Sequence, residues 1–304
     1  MFRNYHNIRG MKRRKLFEWL GGVLLLGVAV LFSACEDDQA DIVFYSGSSL
    51  IEEVGTCTNA VSEVTLFMNG RETAEVGIAY GKGAYQAATS DVEIVRVEIV
   101  GDRLRLSCGE KEGRAVVMVS DEKGNQAGLW VYTGLGSIEC AATGKTAVKA
   151  ILNGNVIADE ALQSMVAEAL QGYRPMEEGG TLTFIPQNVE HWLLEGEEGT
   201  VKWTRNPMSG ESVEGTYRFG YDDQLMGEPM ECFLVSCEGE VHRLYLNPDL
   251  NRSRETGPVS QYWVEDITAA CPEDVLQQLP EQARVAYFME TVTWGGFHVL
   301  AGEE

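Results

Sequence analysis

The stretch "VEIVRVEIVGDRLRLSC", residues 92–108, decides the class of structure. Val95, Val97 and Ile99 alternate with polar neighbours, Gly101-Asp102 supplies a turn, and Leu104, Leu106 and Cys108 alternate on the way back. Period-two alternation places one set of side chains on one face of a strand, so the stretch predicts a hairpin with one buried face. A second hairpin follows: "RAVVMVS" (114–120), the turn residues Asp121-Glu122-Lys123-Gly124-Asn125, then "QAGLWVYTG" (126–134). Short strands and regularly spaced turns from about Val43 to Tyr132 predict a small β-sandwich over residues 43–135.

The run from Tyr80 to Gly134 also resembles a bacterial Ig-like domain of the Big family. The features that carry this are its glycine-tyrosine start, the "SD" (90–91) that opens a valine-alternating strand, the "EGRAVVMV" strand (112–119) and the "DEKGN" turn (121–125). The resemblance implies an immunoglobulin-like sandwich acting as a spacer or adhesive module, with no catalytic residues to carry over. Cys57 and Cys108 depart from the small aliphatic residues usual in that family, and a bridge between them stays open.

Residues 136–147 are rich in Gly, Ala and Thr and read as a linker between modules. The rest, 148–304, opens with an amphipathic helix. Asp159 can cap it, Leu162, Met165, Val166, Ala169, Leu170 and Tyr173 recur at helical spacing, and Gly172 can end it. Strands follow in up-and-down order: "TLTFIP", "EGTVKWTR", "GTYRFGY", "ECFLVSC", "VHRLYLN", "SQYWVEDI" and "ARVAYFMETVTW". Tyr217, Phe219 and Tyr221 should share a face, Glu238-Gly239 should make a tight turn, and Pro272 should open a short helix that Pro280 ends.

This segment resembles the small lipocalin-like domains of bacterial surface lipoproteins, through "GTLTF" (180–184), "GTYRF" (215–219) and "DITAACPEDVLQQLPEQARVAYFMETV" (266–292). The expected fold is therefore mainly β: an Ig-like sandwich followed by a β-meander or barrel of lipocalin-like type carrying one amphipathic helix.

The N-terminus speaks to location. Lys12, Arg13, Arg14 and Lys15 precede an apolar run from Leu20 to Phe32, too short for a spanning helix of roughly 20 apolar residues. Its end, "FSAC" (32–35), resembles the lipobox of bacterial lipoproteins. That resemblance implies a signal peptide at 1–34, cleavage before Cys35, and a diacylglycerol (with palmitate among the acyl chains) on that thiol, which anchors the chain to a membrane. Met11 is a second plausible start, because "MKRRKLFEWL" is a complete signal head. Glu36, Asp37 and Asp38 open an acidic tether, 35–42, and resemble the export signal of surface lipoproteins of the Bacteroidota type, which implies display on the outer membrane; a plain solvated tether is the alternative.

The chain has 24 basic and 46 acidic residues, a net charge of −22. Removal of residues 1–34 takes six of those basic residues and one acid, leaving 18 against 45, or about −27. So acidic a body repels nucleic acid at long range and argues against it as a partner. Membrane contact is expected through the lipid on Cys35, with an extracellular glycan or protein as the further partner.

Catalytic signals are sparse. No G-x-S-x-G occurs, and beyond the signal segment only His191, His242 and His298 are present, each expected as a polar residue on a β-surface. Six cysteines besides Cys35 match no zinc spacing, so neither a metal site nor a cofactor is expected. Cys232 and Cys237 lie on one strand, roughly 16 Å apart and on opposite faces, so they should not bridge each other. The aromatic residues Trp192, Trp203, Tyr217, Phe219, Tyr221, Tyr245, Tyr262, Trp263, Tyr287, Phe288 and Trp294 are expected mainly as core. The functional expectation is a non-catalytic binding or adhesion module on a lipid-anchored surface protein. A carrier of a small apolar ligand in a C-terminal barrel is the alternative.

Overall fold

A computed structural model describes residues 41–225, 227–246, 259–293 and 296–299. Cys35, with the residues read as signal (1–34) and most of those read as tether (35–42), lies outside them, as does Trp294. No helix among the described residues is long and apolar enough to cross a membrane.

The first half forms two sheets. Strands β1 (Val43–Tyr45), β5 (Thr73–Ala79), β8 (Arg103–Cys108) and β7 (Val95–Val100) make one, in the order β1-β5-β8-β7. Strands β4 (Glu63–Phe67), β10 (Gln126–Gly134), β9 (Gly113–Ser120) and β6 (Gln86–Thr89) make the other, in the order β4-β10-β9-β6, with β4 and β10 parallel. A short hairpin, β2 (Glu52–Glu53) and β3 (Thr56–Cys57), lies between β1 and β4. The opening hairpin has the expected register: Val95 faces Cys108, Val97 faces Leu106 and Ile99 faces Leu104. Val95, Leu104 and Leu106 meet Leu66, Val117, Val119, Leu129 and Val131 from the second sheet in one buried core. Each such side chain contributes about 1.5–3 kcal/mol by leaving water.

The second half is a closed barrel of eight antiparallel strands. They are β11 (Gly136–Leu152), β13 (Thr181–Pro186), β14 (Glu198–Thr204), β15 (Val213–Asp222), β16 (Met230–Cys237), β17 (Glu240–Leu246), β18 (Val259–Asp266) and β19 (Arg284–Thr293). Each pairs with the next, and β19 returns to β11. The short strands β12 (Asn155–Val156) and β20 (His298–Val299) add to β11. Two-residue turns set the register at Glu238-Gly239 (φ 52° and 84°) and at Asn153-Gly154 (φ 49° and 76°), both with the paired positive φ that matches strand twist.

Residues 136–147 are not a linker. They form the first twelve of the 17 residues of β11, bonded to β13 on one side and β19 on the other. Their small side chains permit close approach: a Cβ on Gly136 would lie 2.6 Å from Val189 Cγ1 and 2.9 Å from Phe67 Cδ1. The register shifts between Ala142 and Thr146, where Gly144 takes φ +80° in a bulge that bends the strand around the barrel.

Helix α1 (Glu160–Ala169) begins where expected, with the Asp159 carboxylate accepting from Ala161 N and Leu162 N at 2.9 and 3.1 Å. It lies over the barrel end reached by the C-termini of β11, β14, β16 and β18, with Val166 and Leu170 in the interior core and Met165 and Tyr173 against it. Ala169, expected on that face, is exposed. Gln163 ties the helix down: its amide donates to Ala150 O and Ile157 O and accepts from Ala150 N. Helix α2 (Glu273–Leu276) covers the same end through Val275, with Leu276 and Leu279 alongside.

Candidate functional site

Alternation along the barrel strands sends one set of residues inward. Phe184, Trp203, Tyr217, Phe219, Phe233 and Trp263 are all less than 2% exposed or close to it, and Phe184 and Phe233 sit at the centre of a ring cluster with centroids 4.9–5.8 Å apart. Eight strands enclose a space just wide enough to be filled by side chains or to hold one small ligand, and here rings fill the middle. Tyr217 and Phe219 share the inner face as expected, whereas Tyr221, two residues on, has passed the end of the core and is exposed. Tyr245 and Cys232 face outward into a separate cluster with Leu225, Val264 and Ala286.

The helix-capped end of the interior is polar. His242 is not on a β-surface: it pairs with inward-facing Val235 and is buried, with Nδ1 2.6 Å from Glu265 Oε1. Glu265 pairs with Leu244 and Tyr287 and is also buried. Tyr173, just beyond α1, bonds to Glu265; burial first, then the charge of Glu265, holds its hydroxyl well above the ordinary tyrosine range. The His242 ring meets the Trp203 ring edge-on at 4.8 Å, and the Arg205 guanidinium lies 5.1 Å from the Trp203 ring centre. Within this cluster Trp203 Nε1, His242 Nε2 and Arg205 Nε are buried without a hydrogen-bond partner.

Glu265 thus engages Nδ1, while Nε2 lies 3.8 Å from Glu240 Oε2, too far for a hydrogen bond. A carboxylate-oriented histidine is two-thirds of a nucleophilic relay, but among the described residues no serine, threonine or cysteine bonds to Nε2. His191 is exposed in the turn after β13, and His298 is exposed on β20, so the three histidines do not come together.

Burial raises Cys108, Cys140, Cys232, Cys237 and Cys271 above the ordinary thiol range. Cys57, Cys108, Cys140, Cys232, Cys237 and Cys271 are all free, which leaves Cys57 and Cys108 unbridged, and Cys232 and Cys237 lie on opposite faces of β16 as predicted. Burial pushes Cys140 and Cys232 up to about 12 and Cys108 up to about 11, which keeps them as thiols. Among the described residues no three His, Cys, Asp or Glu side chains gather as a metal site.

Two further features were not legible as sites. Glu290 faces out from β19 and is nearly fully covered by the β11 bulge. Thr143 Oγ1 donates to it at 2.7 Å, Lys145 Nζ lies at 2.9 Å and Tyr262 Oη donates at 2.8 Å, and these bonds hold its carboxyl down at about 2. Among 46 acids nothing marked it, because its partners come from two strands far apart in the chain. The other is an open groove of about 710 Å³ on the outer face of β13–β17, bordered at the sandwich by Asn69 and Leu135.

No family model matches the chain, and no curated protein matches it, so geometry carries the functional reading.

Proposed function

We propose that the chain is a non-catalytic, lipid-anchored binding protein of the cell surface, and that its barrel carries a small, mainly apolar molecule. One observation carries the reading: a closed barrel with an apolar, aromatic interior has three buried nitrogen atoms without a hydrogen-bond partner, Trp203 Nε1, His242 Nε2 and Arg205 Nε, at its helix-capped end. A buried polar group without a partner costs about 1–3 kcal/mol, and native structures hold few of them. A ligand with an apolar body and one polar atom would satisfy Trp203 Nε1 and His242 Nε2 while its body met the rings below. Because those rings fill the middle, the cargo is small and enters where α1 closes the barrel. The lipocalin-like resemblance of this segment points the same way.

The test is titration of the purified chain with an apolar fluorophore, 1-aminoanthracene, together with native mass spectrometry of protein isolated without denaturation. Saturable uptake that weakens in Trp203→Phe, which keeps the ring and removes the N–H, is the expected result. No saturable uptake and no co-purifying mass would overturn the carrier reading. A second reading, binding of an extracellular partner by the anchored module, is favoured by the outer groove.

A further inference from the structure

We propose that the groove on the outer face of the barrel is a separate binding site, for a neutral oligosaccharide lying across β14, β15 and β16. The cross-strand register places Thr200 opposite Thr216, and Thr216 opposite Ser236, with Ile185 and Val241 continuing the line at either end. Neighbouring strands lie about 4.8 Å apart, so the three hydroxyls recur at that interval along one line. They face outward, and none has a hydrogen-bond partner among the described residues. Each offers one donor and two acceptor lone pairs, the same mixed capacity a sugar hydroxyl needs. Leu234 and Val241 beside the row provide apolar surface for the C–H faces of a sugar ring.

Other occupants fit less well. Among the described residues the only charged ones that line the groove are Glu198 and Arg218, which face each other across β14 and β15, so this lining carries no net charge within a strongly acidic chain. Long-range repulsion then works against polyanions such as nucleic acid or sulfated glycans. An extended peptide would bind best by adding a strand, but every strand of the floor is hydrogen-bonded on both sides and presents no edge. Among the described residues the one aromatic residue of the lining, Tyr217, is buried, so affinity rests on hydroxyl bonds and shape.

The experiment titrates the full chain, purified in detergent, with cellohexaose, maltohexaose and mannohexaose, followed by calorimetry and competition, with a heparin hexasaccharide and an extended decapeptide alongside. The variant Thr216→Val/Ser236→Ala removes two hydroxyls from exposed strand positions with little effect on folding, checked by its unfolding temperature. Binding of a neutral hexasaccharide that weakens about tenfold or more in this variant, with 1-aminoanthracene uptake by the barrel unchanged, is the expected result. Failure of all three neutral sugars to bind, equal binding by the variant, or preference for the heparin fragment or the peptide would overturn the proposal. Uptake of the fluorophore reports the interior alone, so failure of the carrier reading is distinguishable from failure at the groove.

Discussion

Asn69, in the loop after β4, and Gly136, at the start of β11, bind each other reciprocally: Asn69 Nδ2 donates to Gly136 O at 3.0 Å, and Gly136 N donates to Asn69 Oδ1 at 2.7 Å. The same amide also donates to Pro186 O, and Val189 N donates to Asn69 O. One side chain therefore joins the sandwich to two strands of the barrel. Phe67 extends the junction by packing on Phe297, which meets Trp192.

Removing the Asn69 amide should uncouple the two halves. Asn69→Ala loses three hydrogen bonds in a part-buried site and strands their partners, a cost of about 3 kcal/mol. In scanning calorimetry the variant should show two separated transitions where the parent shows more overlap; an unchanged profile would refute the coupling.

Gln163 should govern how firmly α1 closes the barrel. Gln163→Ala removes three bonds to the β11 hairpin and should cost about 2 kcal/mol. Hydrogen exchange should speed up in residues 160–173 before it does in the β16–β17 core. Uniform exchange across both regions would show that the helix is not a separate local unit.

The buried His242–Glu265 pair lends itself to a double-mutant cycle. Glu265→Leu or His242→Leu alone leaves one polar partner buried and should destabilise by roughly 3–5 kcal/mol, whereas the double substitution should cost much less than the sum. Additive effects measured by urea denaturation would mean that the two groups do not interact.

Glu290 gives the acid limb of stability a definite sign. Its folded carboxyl is held down at about 2 by Thr143, Lys145 and Tyr262, against 4.5 ordinarily. The folded chain thus gains stability from this group above about pH 4.5 and loses it as pH falls towards 2. Glu290→Gln should be less stable than the parent at pH 7, with a stability curve flatter between pH 5 and 2. Parallel curves would exclude Glu290 as a contributor.

The lipidation proposed for Cys35 can be tested directly. Metabolic labelling with an alkyne-bearing fatty acid should mark the parent chain and not Cys35→Ala, and protease added to intact cells should remove the folded domains. Labelling that persists in Cys35→Ala would refute the anchor, and protection until lysis would refute surface display.

Local patterns were legible because they depend on neighbours in the chain. Alternation at Val95, Val97 and Ile99 announced a buried face, Asp159 marked the start of α1, and Glu238-Gly239 marked a turn whose positive φ only a few residue types accept. The Gly-Ala-Thr run at 136–147 misled because small residues serve flexible linkers and tightly packed strands alike. Only the contact of Gly136 with Phe67 and Val189 separates the two cases.

By itself the sequence determined that the chain is β-rich, where most strands and both short helices begin, and that Cys232 and Cys237 point opposite ways. Those properties follow from periods of 2 and 3.6 residues and from local turn chemistry. Tertiary structure alone decided that β19 closes on β11, that His242 lies inside with Glu265, that Glu290 is sealed under a bulge, and that Thr200, Thr216 and Ser236 form one line. Each of these depends on pairing between strands remote in sequence and on which face the closed sheet turns inward, and alternation by itself labels two faces without saying which becomes the interior.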